Sequence, residues 1–196
     1  MVIARERIRL REKKLSDARN DYNWSRDVEL SELDAAPPLI MGFQQYLLDY
    51  SIDFRFHSST SERFAIETME GKHIGNCSFY DINESKKQAE LGIMIADRDY
   101  WGKGYGTDVI NTMLRHFFTN TKTERVYLKT LNWNARAQEC FKKCGFVQYS
   151  EIERDGYRFI LMEITRQRWE EMQKGKRPKA LQLRENKLIQ TKRGGL

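Results

Sequence analysis

Ten residues, Arg98-Asp99-Tyr100-Trp101-Gly102-Lys103-Gly104-Tyr105-Gly106-Thr107, hold the most legible chemistry in this 196-residue chain. They follow a run with strand character and open an amphipathic one. Glycines at alternate positions let backbone amides approach a ligand with no side chain between, and a helix start adds partial positive charge. Such a turn suits a phosphate or pyrophosphate. It is neither a Walker A loop, which needs Gly-x-x-x-x-Gly-Lys and then Ser or Thr, nor the dinucleotide Gly-x-Gly-x-x-Gly. Cys140 and Cys144 sit four apart on one face of a helix, without the spacing of a redox pair or zinc knuckle, and read as packed residues. His57, His73 and His116 are scattered. No metal site is expected.

A second run, Asn134-Ala135-Arg136-Ala137 followed by Phe141-Lys142-Lys143-Cys144-Gly145-Phe146, stands downstream of the glycine loop. Together the two resemble the Gcn5-related N-acetyltransferases, the GNAT superfamily. Trp101–Gly106 falls on that family's Gln/Arg-x-x-Gly-x-Gly/Ala motif. The later run falls on Asn-x-x-Ala and Tyr-Glu-Lys-x-Gly-Phe. The resemblance covers about residues 5–165. Within the family it is most similar to the branch of ribosomal-protein-alanine and spermidine N-acetyltransferases, through Ala89-Glu90-Leu91-Gly92-Ile93, the Trp-Gly-Lys-Gly-Tyr-Gly loop and the Arg-x-x-Leu-Arg start at Arg7.

The resemblance implies acetyl-CoA as co-substrate and direct attack by a primary amine. The acceptor would be a protein N-terminus, a polyamine, an amino sugar or another small metabolite. By the same resemblance the amides of Gly102, Lys103, Gly104, Tyr105, Gly106 and Thr107 would hold the coenzyme pyrophosphate, with Lys103 at its edge. Ile93, Met94 and Ile95 would pair with pantetheine like an added strand, since free strand-edge amides need partners. An amide near Ile93 or Met94 would stabilise the oxyanion. Asn134 would contact the coenzyme. Glu90 is the candidate base, because an alkylammonium with a pKa near 10 must lose a proton before it attacks. Its plain alternative is a solvent-facing strand residue beside Lys86 and Lys87.

Two positions depart from the pattern. Trp101 replaces Gln or Arg, in a motif where the backbone does most of the holding. Phe141 stands where many members have the tyrosine that protonates the leaving thiolate, and a phenyl ring has no proton to give. Water, or Tyr100, Tyr105 or Tyr149, would have to serve. Trp24 and Trp133 read equally as core or pocket wall.

The net charge is +6, but residues 174–196 carry eight Lys/Arg against one Glu, which leaves 1–173 near −1. The organisation expected is an acetyltransferase domain over 1–173 and a basic tail over 174–196. The tail offers the rival reading, an RNA- or ribosome-associated binding protein with a vestigial coenzyme site; nucleic acid would bind through the tail alone. A structural or regulatory subunit is a third, suggested only by Phe141. No run reaches the 20 or so apolar residues a membrane span needs, and no signal-peptide segment opens the chain. A cytoplasmic protein, with a homo-oligomer open, is the expectation.

Periodicity supplies the elements that must position these residues. A strand is expected over 3–10, then a helical segment over 17–34 with six acids against Arg19 and Arg26, closed by Pro37-Pro38. A helix over 41–51 follows. Strands are expected over 63–69, 73–81 and 89–96, then a helix with Val109, Ile110, Met113, Leu114, Phe117 and Phe118 on one face. A strand over 125–130, a helix over 134–144 stopped by Gly145, a hairpin over 146–164 and a helix over 165–173 complete the chain. This order predicts an α/β (α+β) fold with a mixed, mostly antiparallel sheet of six or seven strands flanked by helices.

Overall fold

The computed structural model describes residues 2–4, 7–56 and 59–176. Eight strands form one sheet in the order β1-β2-β3-β4-β5-β6-β8-β7. They are β1 (Val2–Ala4), β2 (Ile8–Glu12), β3 (Glu62–Thr68), β4 (His73–Asn83), β5 (Gln88–Ile95), β6 (Arg125–Leu131), β7 (Val147–Arg154) and β8 (Tyr157–Thr165). The single strand expected over 3–10 doubles back, so that Ile3 faces Leu10 across an antiparallel pair. The apolar alternation breaks at Arg5-Glu6-Arg7, and that break accounts for the extra strand.

The helices are α1 (Ala18–Ser25), α2 (Val28–Leu33), α3 (Phe43–Arg55), α4 (Tyr105–Asn120), α5 (Ala135–Lys143) and α6 (Arg166–Lys176). The acidic segment is thus two short helices. Arg26 closes the first and Asp27 caps the second, its carboxylate accepting from the Leu30 amide. Such a cap satisfies one of the donors a helix start leaves open. Helix α6 runs past the expected end at 173; residues 177–196 lie outside the described part, and the reading of the tail with them. Among the described residues no helix is long and apolar enough to cross a membrane.

One irregularity in the sheet matters for the site. All strand pairs are antiparallel except β5 and β6, which α4 connects by a crossover. Their parallel pairing covers only Gln88–Glu90 against Arg125–Tyr127, whereas β5 continues to Ile95. From Leu91 onward β5 keeps its partner β4 and loses β6. Beyond that point β6 stays with β8, through Leu131↔Phe159. The sheet therefore splays into a V.

The core sets the angle of the V. Val109, Ile110, Met113, Leu114, Phe117 and Phe118 of α4 are all buried against the sheet, as the 3.6-residue period requires. The Phe117 ring stacks on Phe79 of β4 at 3.9 Å. Burying a phenylalanine of this kind contributes about 2–3 kcal/mol. That packing fixes the N-terminus of α4 at the open end of the V.

Candidate active site

The glycine loop leads into that N-terminus. Gly102 and Gly104 hold φ of 69° and 85°, a left-handed backbone that disfavours any side chain. A Cβ on Gly102 would meet nothing within 4 Å, so this face of the loop is open. The ladder of α4 begins with the Asp108 amide on the Gly104 carbonyl at 3.1 Å, and no side chain caps the helix. The first amides of α4 are left for a ligand. Arg7 secures the loop from outside, donating to Asp108 at 2.7 Å and to the Lys103 carbonyl at 2.8 Å.

A cavity of about 360 Å³ extends from this loop into the V. Of the residues singled out by sequence, Ile93, Met94, Ile95, Trp101, Gly102, Gly104, Tyr105, Gly106, Thr107, Asn134 and Phe141 line it. Lys103 does not; its side chain is exposed, and the loop contributes there through its carbonyl. The Ala96 amide donates to the Ile74 carbonyl at 2.9 Å. Because amides alternate along a strand, Met94 then bonds towards β4, and Ile93 and Ile95 direct theirs into the splayed edge. The Ile95 carbonyl already accepts the Trp101 indole N–H at 2.6 Å.

Arg136 of α5 escaped the sequence reading, although it lies inside the second motif. Its guanidinium stacks over Trp101 at 3.5 Å and lines the cavity, where burial lowers its pKa. Arg98 also lies 5.5 Å from the indole ring centre and pairs with Asp27 and Glu29. The loop is thereby tied to α2.

Cys144 is buried and Cys140 packs half-buried against the core, as expected, but Cys140 also faces the cavity. It lines the cavity beside Thr107, whose hydroxyl lies 3.5 Å from its sulfur. Hydrogen bonding from Cys144 leads the effects on it. Burial opposes, Thr107, Lys143 and Arg136 assist, and the thiol pKa comes down to about 6.

Glu90 is neither solvent-facing nor beside Lys86 and Lys87. It is 6% exposed, and its Oε1 accepts from the Tyr80 hydroxyl at 2.7 Å and from Lys129 Nζ at 2.9 Å. Burial, reinforced by the bond to Glu90, raises the Tyr80 pKa far above the usual phenol range. That hydroxyl keeps its proton at any ordinary pH. Sequence periodicity placed Glu90 opposite Leu91 on the strand but could not show what covers it.

On this second face of β5 lies a larger cavity, of about 1000 Å³. Glu12, Asp21, Asp34, Asp53 and Glu62 line it against Lys13 and Arg63. Lys13 pairs with Asp21 at 2.5 Å, and Arg63 pairs with Asp53. Its wall is net negative, and Tyr46, Tyr50, Phe54 and Tyr80 give it an aromatic lining. Two of the six acids of 17–34 therefore reach it. Of the others, Asp17 is buried with Arg11, and Asp27 and Glu29 hold Arg98.

Asp34, Ile93 and Met94 line both cavities. The two spaces meet there. Asp34 caps the C-terminus of α2 at the exposed junction of the cavities; partial desolvation by the surrounding chain raises its pKa above the ordinary carboxylate value, with Lys129 opposing. Among the remaining expectations, Tyr100 and Tyr105 line the smaller cavity. Tyr149 instead stands on exposed β7 against Arg125. Trp24 packs on His73, and Trp133 is 54% exposed.

Residues 7–147 match the acetyltransferase (GNAT) domain. The chain belongs to the GNAT acetyltransferase family. It is similar to spermidine N(1)-acetyltransferase of Vibrio cholerae serotype O1, 32% identical over 96 residues, 49% of this chain and 55% of that protein. It is also similar to spermine/spermidine N(1)-acetyltransferase of Bacillus subtilis, 25% identical over 85 residues, 43% and 56% of the two chains. The matches span about half the length of these relatives. A crystal structure of the Vibrio cholerae spermidine N-acetyltransferase in complex with CoA and spermine superposes with a TM-score of 0.74 at 23% identity, covering 84% of this chain and 99% of that one. An aminoglycoside acetyltransferase in complex with coenzyme A gives 0.69 at 18% identity, over 85% and 99%. These likenesses place the eight-stranded, splayed sheet within the GNAT fold.

Proposed function

We propose that this GNAT protein transfers acetyl from acetyl-CoA to a primary amine of a polyamine-like cation. The observation that carries the reading is the meeting of two unlike cavities at Asp34, Ile93 and Met94. The smaller one offers uncapped helix amides and Arg136 to a pyrophosphate, then a free strand edge to an amide-bearing arm. The larger one offers carboxylates and aromatic faces to an ammonium on a methylene chain. Relatives named for spermidine and spermine acetylation agree with that choice of acceptor.

In this reading the amides of Gly102–Thr107 hold the coenzyme pyrophosphate and those of Ile93 and Ile95 pair with pantetheine. Asn134 caps α5 through the Ala137 amide at 3.2 Å, fixing the helix that walls the arm. The Ile93 amide polarises the thioester carbonyl and meets the charge that develops on its oxygen. The amine nitrogen attacks the carbonyl carbon, the carbon–sulfur bond breaks, and the thiolate takes up the proton the nitrogen sheds. Phe141 contributes an apolar wall rather than a proton. Glu90 acts through Tyr80, as a buried carboxylate that holds the hydroxyl in the acceptor cavity. The domain of 1–173 suffices for these contacts, and the three free cysteines suit a reducing, cytoplasmic setting.

Mixing the protein with acetyl-CoA and spermidine tests the reading. It requires acetylated amine and free CoA thiol in equal amounts. Thiol release without acetylated amine would refute it.

A further inference from the structure

The proton the acceptor must lose has no evident destination at Glu90. That carboxylate lines neither cavity, and one of its oxygens already receives two donors, from Tyr80 and Lys129. Resting on the acetyl-transfer reading above, the geometry points to Asp34 as the group that binds the attacking ammonium and accepts its proton. Asp34 is the only acid that lines both cavities among the described residues. Ile93 and Met94, which share that place, belong to the strand edge assigned to the thioester. A cation drawn along the acidic wall would meet Asp34 where the cavities join.

The step balances simply. The Asp34 carboxylate takes one proton from R–NH₃⁺, giving R–NH₂ and a neutral carboxyl. The freed lone pair forms the carbon–nitrogen bond as the carbon–sulfur bond breaks. A second proton, shed by nitrogen, goes to the CoA thiolate, and Asp34 returns its own to water. An exposed carboxylate near pKa 4 is a poor acceptor from an ammonium near 10. Partial desolvation at the junction raises the carboxyl and narrows that gap, and each unit gained makes the transfer tenfold easier.

Several charged groups bear on this carboxyl. Lys129 on β6 counteracts the rise, and its Nζ is also held by Glu90. Tyr80 on β4 remains protonated beside it. Arg136 and Glu139 come from α5 across the smaller cavity, and Asp21 of α1 with Tyr46 and Tyr50 of α3 across the larger. An arriving ammonium replaces bulk water as the main partner of Asp34, because Lys129 is already engaged.

The experiment compares pH–rate profiles of wild type, Asp34→Asn and Asp34→Glu with acetyl-CoA and spermidine, after thermal melts confirm folding. Calorimetry with CoA reads the coenzyme site independently. Asp34→Asn should lose about 10²–10⁴-fold in kcat near pH 7, the usual range for a positioned base. Its loss should shrink as pH approaches the amine pKa, where solution supplies free amine. CoA affinity should stay within twofold, and Asp34→Glu should recover part of the rate. A change confined to KM, or an Asp34→Asn profile parallel to wild type, would overturn the assignment. CoA binding without any amine turnover by wild type would refute the acetyl-transfer reading itself and remove Asp34's role with it.

Discussion

The Trp101 indole N–H donates to the Ile95 carbonyl at 2.6 Å, joining the glycine loop to the free edge of β5. The loop and the strand edge that line the smaller cavity are thereby linked, with Arg136 stacked on the indole face. Trp101→Phe keeps the ring and removes the donor. A lost hydrogen bond of about 1 kcal/mol should weaken CoA binding about fivefold by calorimetry. Unchanged or tighter binding would mean that the indole blocks a carbonyl pantetheine could use.

Gly104 separates loop strain from ligand contact. At φ 85°, and with a Cβ only 3.0 Å from an Arg7 guanidinium nitrogen, Gly104→Val costs stability and disorders the amides at the start of α4. CoA affinity should fall at least tenfold. Gly156, at φ 79° in the hairpin turn with nothing within 4 Å, is the matched control. Gly156→Val should lower the melting temperature and leave CoA affinity unchanged; equal affinity losses in both would remove the loop from the site.

Cys140 should be the reactive thiol of the described part. Its pKa near 6 makes it mostly thiolate at pH 7, whereas burial pushes the Cys77 thiol far up. Iodoacetamide should label Cys140 first, with a rate that rises through pH 6, and CoA should protect it because it lines the cavity proposed for the coenzyme. A midpoint near 9, or labelling indifferent to CoA, would contradict this placement.

Much of the smaller cavity's lining was legible in the sequence, since it is built from two local runs. Glycines at 102 and 104 announce a left-handed turn, and Asn134 and Gly145 bracket a helix, without knowledge of anything distant. The larger cavity is different. Asp34, Tyr80 and Lys129 are brought together by the pairing of β4, β5 and β6 and by the turn after α2, none of which leaves a local signature. Period two placed Glu90 on a face of β5, but its burial depends on Tyr80 directly opposite in the β4 register. Arg7 pins a loop almost a hundred residues away, and only the β2 position reveals it.

Asp17 offers a stability test apart from catalysis. Burial works to raise its pKa, but two 2.7 Å bonds from Arg11 and one from the Lys14 amide outweigh that and hold it below the ordinary 3.8. A carboxylate with a lowered folded pKa contributes stability fully above about 3.8 and loses it as pH falls through the folded value. Asp17→Asn removes two of the charge-assisted bonds to Arg11 and leaves Glu67 as its remaining carboxylate partner, and should cost about 1–3 kcal/mol at pH 7. Between pH 7 and 2.5 the wild-type melting temperature should fall more steeply than the variant's. Parallel curves would show that the pair carries no linkage.

The meeting of the two cavities is tested most directly by one ligand that fills both. CoA joined through an S–CH₂–CO– bridge to a terminal nitrogen of spermidine would cross the junction at Asp34, Ile93 and Met94. Calorimetry should find it binding at least a hundredfold more tightly than CoA, because the second cation engages without a second loss of free motion. Affinity no greater than that of CoA alone would contradict the account.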